Sequence, residues 1–119
     1  ARAEDYERLV SALVAAHDLD GALQTLQAGL QAAPTARLWS LLGDVHYLRQ
    51  DYAAAAEAFG EVAALDPDNG RAKLMVGYCH IELGNRGRAI QNLVNAAKHD
   101  DQSELAQRLL ARARKMSDT

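Results

Sequence analysis

The chain is short of most of what specialised chemistry is built from. Its 119 residues include one cysteine, Cys79, so no internal disulfide can form and no cysteine-based metal site is available. Prolines are limited to Pro34 and Pro67, and aromatics to four Tyr, one Trp and one Phe. No apolar run approaches ~20 residues, so nothing in it spans a membrane as a helix. No secretory signal pattern is visible. A net charge of −3 leaves no overall reason to expect nucleic-acid binding. These absences point to a reducing cytoplasm, although a periplasmic protein without disulfides would look the same. The heavy use of Ala, and of Arg over Lys, points to a bacterial source. The length suits one domain over residues 1–119.

What is present is alanine, which favours helix and lets helices approach closely, and a repeating period. Pro34 recurs as Pro67, Ala22 as Ala55 and then Ala89, and Gly43 as Gly77. The spacing is nearly constant in every case, at ~34 residues, which is the size that marks stacked helix pairs. Each such pair buries its apolar face only against its neighbours.

The middle repeat is the clearest. It runs from Trp39, Leu42 and Gly43 through Ala55 and Phe59 to Pro67, and it resembles the tetratricopeptide repeat. The next copy, 70–102, keeps Val76, Gly77, Leu83, Gly84, Ala89, Leu93 and Ala96, but has Lys73 where a large apolar residue is usual and Asp101 in place of Pro. The first, about 3–35, keeps Tyr6, Leu9, Ala22, Leu26 and Pro34, with Val10 where Gly is usual. The resemblance implies an all-α, right-handed superhelical solenoid of three helix pairs (3–35, 36–69, 70–102) with a capping helix over 103–116.

Apolar spacing at i, i+3, i+4 and i+7 predicts helices over about 3–16, 19–32, 36–49, 52–65, 70–83, 86–99 and 103–116. Thr35, Asp51 and Asn85 are expected to cap the helices that follow them, and Asp101 or Ser103 the last one. Gly43 and Ala55 are small where two helices must cross. Leu105, Leu109, Ala113 and Met116 give the last helix one apolar side, and residues 117–119 are expected to fray. The stretch from Ala1 to Asp20 is rich in acid. Arg108, Arg112, Arg114 and Lys115 outnumber Glu104 and Asp118 at the other end.

Catalytic and metal chemistry find little support. His46 and His80 hold equivalent places and read as partly buried, hydrogen-bonded fillers. Equivalent residues of stacked repeats stand ~10 Å apart, too far to share one ion. Cys79 and His80 are adjacent on a helix and point about 100° apart, so they cannot act as nucleophile and base. Gly84-Asn85-Arg86-Gly87 lacks a preceding strand and reads as an interhelical turn. Glu4, Asp5 and Glu7 read as a solvated first turn. No enzyme activity, cofactor or metal is expected.

The resemblance places the first helix of each pair on the concave face. Carried over by position, that face holds Glu4, Glu7, Ser11 and Val14; then Arg37, Ser40, Asp44, Tyr47 and Leu48; then Arg71, Leu74, Tyr78, Ile81 and Glu82, with Arg108 and Arg112 from the last helix. Tyr47, Leu48, Leu74, Tyr78 and Ile81 would form an apolar stripe, and Arg71, Arg108 and Arg112 would favour an acidic group at one end. Clamps that hold a chaperone's acidic tail use Lys and Asn where this chain has Glu7, Ser11, Ser40 and Asp44, which argues against that activity. The expected role is a protein-interaction module that takes a partner's peptide or helix in its groove. A chaperone of the type III secretion kind for apolar translocator segments and a self-association module are the alternatives.

Overall fold

The computed structural model describes residues 2–117. Among them the chain forms seven helices and no strand: α1 (Ala3–Ala15), α2 (Leu19–Ala32), α3 (Ala36–Leu48), α4 (Tyr52–Leu65), α5 (Gly70–Glu82), α6 (Arg86–Ala96) and α7 (Ser103–Arg114). Every boundary falls within three residues of its expected place. Of the tail expected to fray, residues 118 and 119 lie outside the described residues, and so does the Asp118 carboxylate of the basic end.

Consecutive helices pack in chain order, and α1 also touches α3 while α5 touches α7. The first helices of the pairs therefore form an inner row, with α7 as its last member. The result is an all-α repeat structure measuring 44 × 25 × 21 Å.

Each helix pair turns in the same way. His17, Gln50 and Gly84 hold equivalent places in the three repeats, and all have left-handed backbones, with φ of 61°, 62° and 79°. Beside them the N–H groups of Asp18, Asp51 and Asn85 donate back to the carbonyls of Leu13, His46 and His80 at 2.8, 2.9 and 2.8 Å. This satisfies carbonyls that the ending helix leaves open. The glycine-bearing segment after α5 is one of these turns.

Thr35 and Asp51 cap as expected, accepting from the N–H groups of Leu38 and Ala54. Asp18 and Asn69 do the same for α2 and α5. Asn85 does not: its amide nitrogen lies 3.2 Å from His80 Nδ1 instead. Neither Asp101 nor Ser103 caps α7. Gln102 occupies that position with no side-chain cap bond. Ala33 and Asp66, which precede Pro34 and Pro67, leave the helical region (φ −152°, ψ 78° and φ −138°, ψ 83°), away from the helical angles that a following proline disfavours. The residue after α6, Ala97, keeps helical angles (φ −65°, ψ −16°), and the helix ends at Ala96.

The close crossings follow the glycines. A Cβ on Gly43 would stand 2.8 Å from the Phe59 ring, and one on Gly77 would stand 2.6 Å from Leu93. The first repeat inverts the arrangement. Val10 is fully buried there, and the small residue is Gly29 on α2, where a Cβ would meet Tyr6 at 2.9 Å. Phe59 is fully buried, whereas Trp39 and Leu42 are half-buried. Lys73 fits its apolar position by donating its ammonium to the Pro67 carbonyl at 2.7 Å. His46 departs from the hydrogen-bonded filler expected: its Nδ1 atom is buried with no hydrogen-bond partner among the described residues.

Candidate functional site

The inner row of helices encloses an open groove of about 720 Å³. α1 contributes Val10, Ser11 and Val14, and α3 contributes Leu41, Asp44, Val45, Tyr47 and Leu48. α5 adds Arg71, Leu74, Met75 and Tyr78, and α7 closes one end with Leu105 and Leu109. Two of these apolar residues stand well out of the core: Leu48 is 52 % exposed and Leu105 45 %.

The tyrosines are organised. The Tyr47 ring centroid lies 5.8 Å from that of Tyr78 in a tilted arrangement, and 5.9 Å edge-on from Tyr52, both within the range of favourable aromatic pairs. A hydrogen bond with Tyr47 holds the Tyr78 hydroxyl above its ordinary pKa, and burial and the nearby Glu82 add to this. The Arg112 guanidinium sits 5.9 Å from the Tyr78 ring centroid, a favourable cation–π position.

The charges around the groove are paired between neighbouring repeats. Arg71 donates to Asp44 at 2.9 Å, joining α5 to α3, and its guanidinium lies 5.6 Å from the Phe59 ring centroid. Arg112 donates to Glu82 at 2.9 Å, joining α7 to α5. Glu82 is the main cause of the raised Arg112 pKa. Arg108 pairs at 2.7 Å with Glu104 of its own helix.

Of the residues placed on the concave face by position, Ser11, Val14, Asp44, Tyr47, Leu48, Arg71, Leu74 and Tyr78 come together in the groove. Arg37, Ser40, Glu4, Glu7 and Arg108 do not line it. Ile81 is a correction. It is 6 % exposed and belongs to a core cluster with Leu93, Ala106 and Leu110, because α7 packs over the last turn of α5. Leu74 is shared between that core and the groove, at 4 % exposure. Positional transfer passed over Leu41, Met75 and Leu109, which line the groove and hold equivalent places one repeat apart. The repeat period itself was the signal that could have found them.

Nothing in the site resembles a nucleophile with its base. Cys79 is fully buried, and its thiol is pushed up to about 11, first by burial and then by Glu82. The adjacent His80 ring faces Asn85. Among the described residues no three His, Cys, Asp or Glu side chains gather as a metal site would require, and no helix is long and apolar enough to cross a membrane.

Family models described as tetratricopeptide repeat match residues 7–70 and 47–113. Comparison with curated proteins finds no match. Several solved structures share the fold. The TPR2B domain of yeast Sti1, in complex with pHsp70, aligns with a TM-score of 0.85 at 18 % identity over 95 % of this chain and 96 % of that one. The Yersinia enterocolitica type III secretion chaperone SycD, in complex with a peptide of the translocator YopD, aligns at 0.83 and 18 % identity over 93 % and 91 %. PcrH from Pseudomonas aeruginosa aligns at 0.82 and 21 % identity over 94 % and 91 %.

Proposed function

The chain belongs to the tetratricopeptide repeat family, and from that premise we propose that it is a non-catalytic interaction module that takes a peptide or helical segment of a protein partner in its inner groove. The observation that carries this reading is the groove itself. Four helices, from the three repeats and the terminal cap, converge on one apolar concavity, and Leu48 and Leu105 on its walls remain about half exposed. Apolar surface gathered in a concavity and left open to water marks a binding site. The fold supports the reading, since structures sharing it include a complex of the Sti1 TPR2B domain with pHsp70 and one of SycD with a peptide of YopD.

A narrower form of the same reading is a chaperone that shelters an apolar segment of a secretion translocator. The apolar lining and the likeness to SycD and PcrH favour it.

The test is capture from the source organism with three baits: the wild-type chain, a Leu48→Ser/Leu105→Ser groove variant, and a Glu57→Ala/Glu61→Ala variant on the outer helix α4. A partner held by the first and third baits and lost by the second supports groove binding. A captured set that is the same for all three refutes it.

A further inference from the structure

Resting on that groove-binding reading, we infer that the groove selects an uncharged, apolar peptide segment and discriminates against acidic ones. The charged side chains that line it are Asp44 and Arg71, and they are bonded to each other at 2.9 Å. At the Tyr78 end the arginine that faces the ring, Arg112, is held by Glu82 at 2.9 Å. Arg108, on the same helix, is taken by Glu104. Each of these three arginines already has a carboxylate partner.

These pairs are also ties between repeats, Asp44–Arg71 between α3 and α5 and Glu82–Arg112 between α5 and α7. An acidic occupant that reaches Arg71 has to share it with Asp44, whose carboxylate already bonds the guanidinium and repels a second one. A basic occupant meets the mirror-image cost at the arginines. A like charge brought beside either member of such a pair lowers affinity. The Tyr78 ring is packed against that of Tyr47, 5.8 Å between centroids. A neutral apolar segment leaves every pair intact and covers Leu48, Leu105 and Met75. The attraction for an acidic group expected from the arginines alone is cancelled by their partners.

The test uses a fluorescein-labelled peptide of roughly 12 residues alternating Leu, Ile or Val with Ser or Thr. Three twins carry Gln, Glu or Lys at its two central apolar positions. All are titrated into the full chain by anisotropy. The Gln twin should bind at least about fivefold tighter than the Glu or Lys twin. The parent's affinity should change less than about twofold between roughly 0.05 and 0.5 M salt. Asp44→Asn strips Arg71 of its carboxylate and should tighten the Glu twin at least about fivefold relative to wild type, and Arg71→Gln should do the same for the Lys twin. A Glu twin that binds wild type as tightly as the Gln twin overturns the inference while groove binding stands. A parent peptide that fails to bind, or that binds Leu48→Ser/Leu105→Ser as well as wild type, overturns both. If either charge variant fails to fold by circular dichroism, the wild-type comparison of the twins decides alone.

Discussion

Gly43 of α3 presses so closely on Phe59 of α4 that a Cβ on the glycine would stand 2.8 Å from two carbons of the ring. The ring is fully buried and has nowhere to retreat. Gly43→Leu should therefore lower stability by about 3 kcal/mol, at the upper end of what overpacking costs. A denaturant midpoint that stays in place would mean that the two helices part more easily than their packing shows.

Gln50 has a left-handed backbone, with φ of 62°, at a position where the third repeat has Gly84. A non-glycine residue there carries a penalty of about 1–2 kcal/mol, and glycine gives back roughly 0.5–1 kcal/mol through its freer unfolded chain. Gln50→Gly should raise stability by up to about 1 kcal/mol, and Gly84→Ala should lower it by about the same amount. Paired urea melts would show both signs, and a destabilising Gln50→Gly would contradict the turn assignment.

Burial, and then Arg88, lowers the His80 pKa below its ordinary value of 6.5. The unfolded chain thus binds this proton more tightly than the folded one. Stability from His80 is complete above about pH 6.5 and declines as the pH falls through that value towards the lowered folded pKa. For Cys79 the folded thiol titrates at about 11 against 9.0, so its contribution is complete below pH 9 and is lost as the pH rises towards 11. His80→Gln should flatten the acid-side slope of midpoint against pH, and Cys79→Ala the alkaline-side one. Native Cys79 should also resist thiol reagents until the protein unfolds.

The helix α7 covers Leu74, Ile81 and Leu93 through Ala106, Leu110 and Ala113. Deleting residues 103–119 should uncover that cluster and cause aggregation, with loosening confined to residues 70–102, because a solenoid end without a polar cap is sticky. Hydrogen exchange and light scattering on the truncated chain would register this. A truncated monomer with full cooperativity would place the cap elsewhere.

Groove variants should separate binding from folding. Tyr47 packs against the cluster of Phe59, Val76 and Cys79, so Tyr47→Ala with Tyr78→Ala should weaken partner binding by at least about 2 kcal/mol and also lower stability. Leu48→Ser, at a side chain 52 % exposed, should weaken binding with a stability change within about 0.5 kcal/mol. Titration and melting of the same preparations distinguish the two. If Leu48→Ser lowers the melting temperature but not the affinity, then Leu48 is core.

Much of this architecture is legible without coordinates because it is local. Apolar spacing marks the helices, Thr35 and Asp51 mark their starts, and Pro34 and Pro67 mark the passage from one pair to the next. The groove was legible only in part. Tyr47, Tyr78, Asp44 and Arg71 were placed by the repeat pattern, whereas Met75 and Leu109 required following the repeat register across helices.

By itself, then, the sequence determined the helices and their pairing, while the side on which a concave surface would form was implied by the family resemblance. The helices and their pairing depend on contacts within a few turns of chain and on a period repeated along it. Only the tertiary structure decided that Ile81 is core while Tyr78, one turn earlier, borders the groove, and that Asp44 finds Arg71 and Glu82 finds Arg112. Those partners are 27 and 30 residues apart. Their meeting depends on how each repeat is rotated onto the next and on where α7 comes to rest. Helical periodicity sets which face of a helix is apolar, but not which neighbour that face will meet.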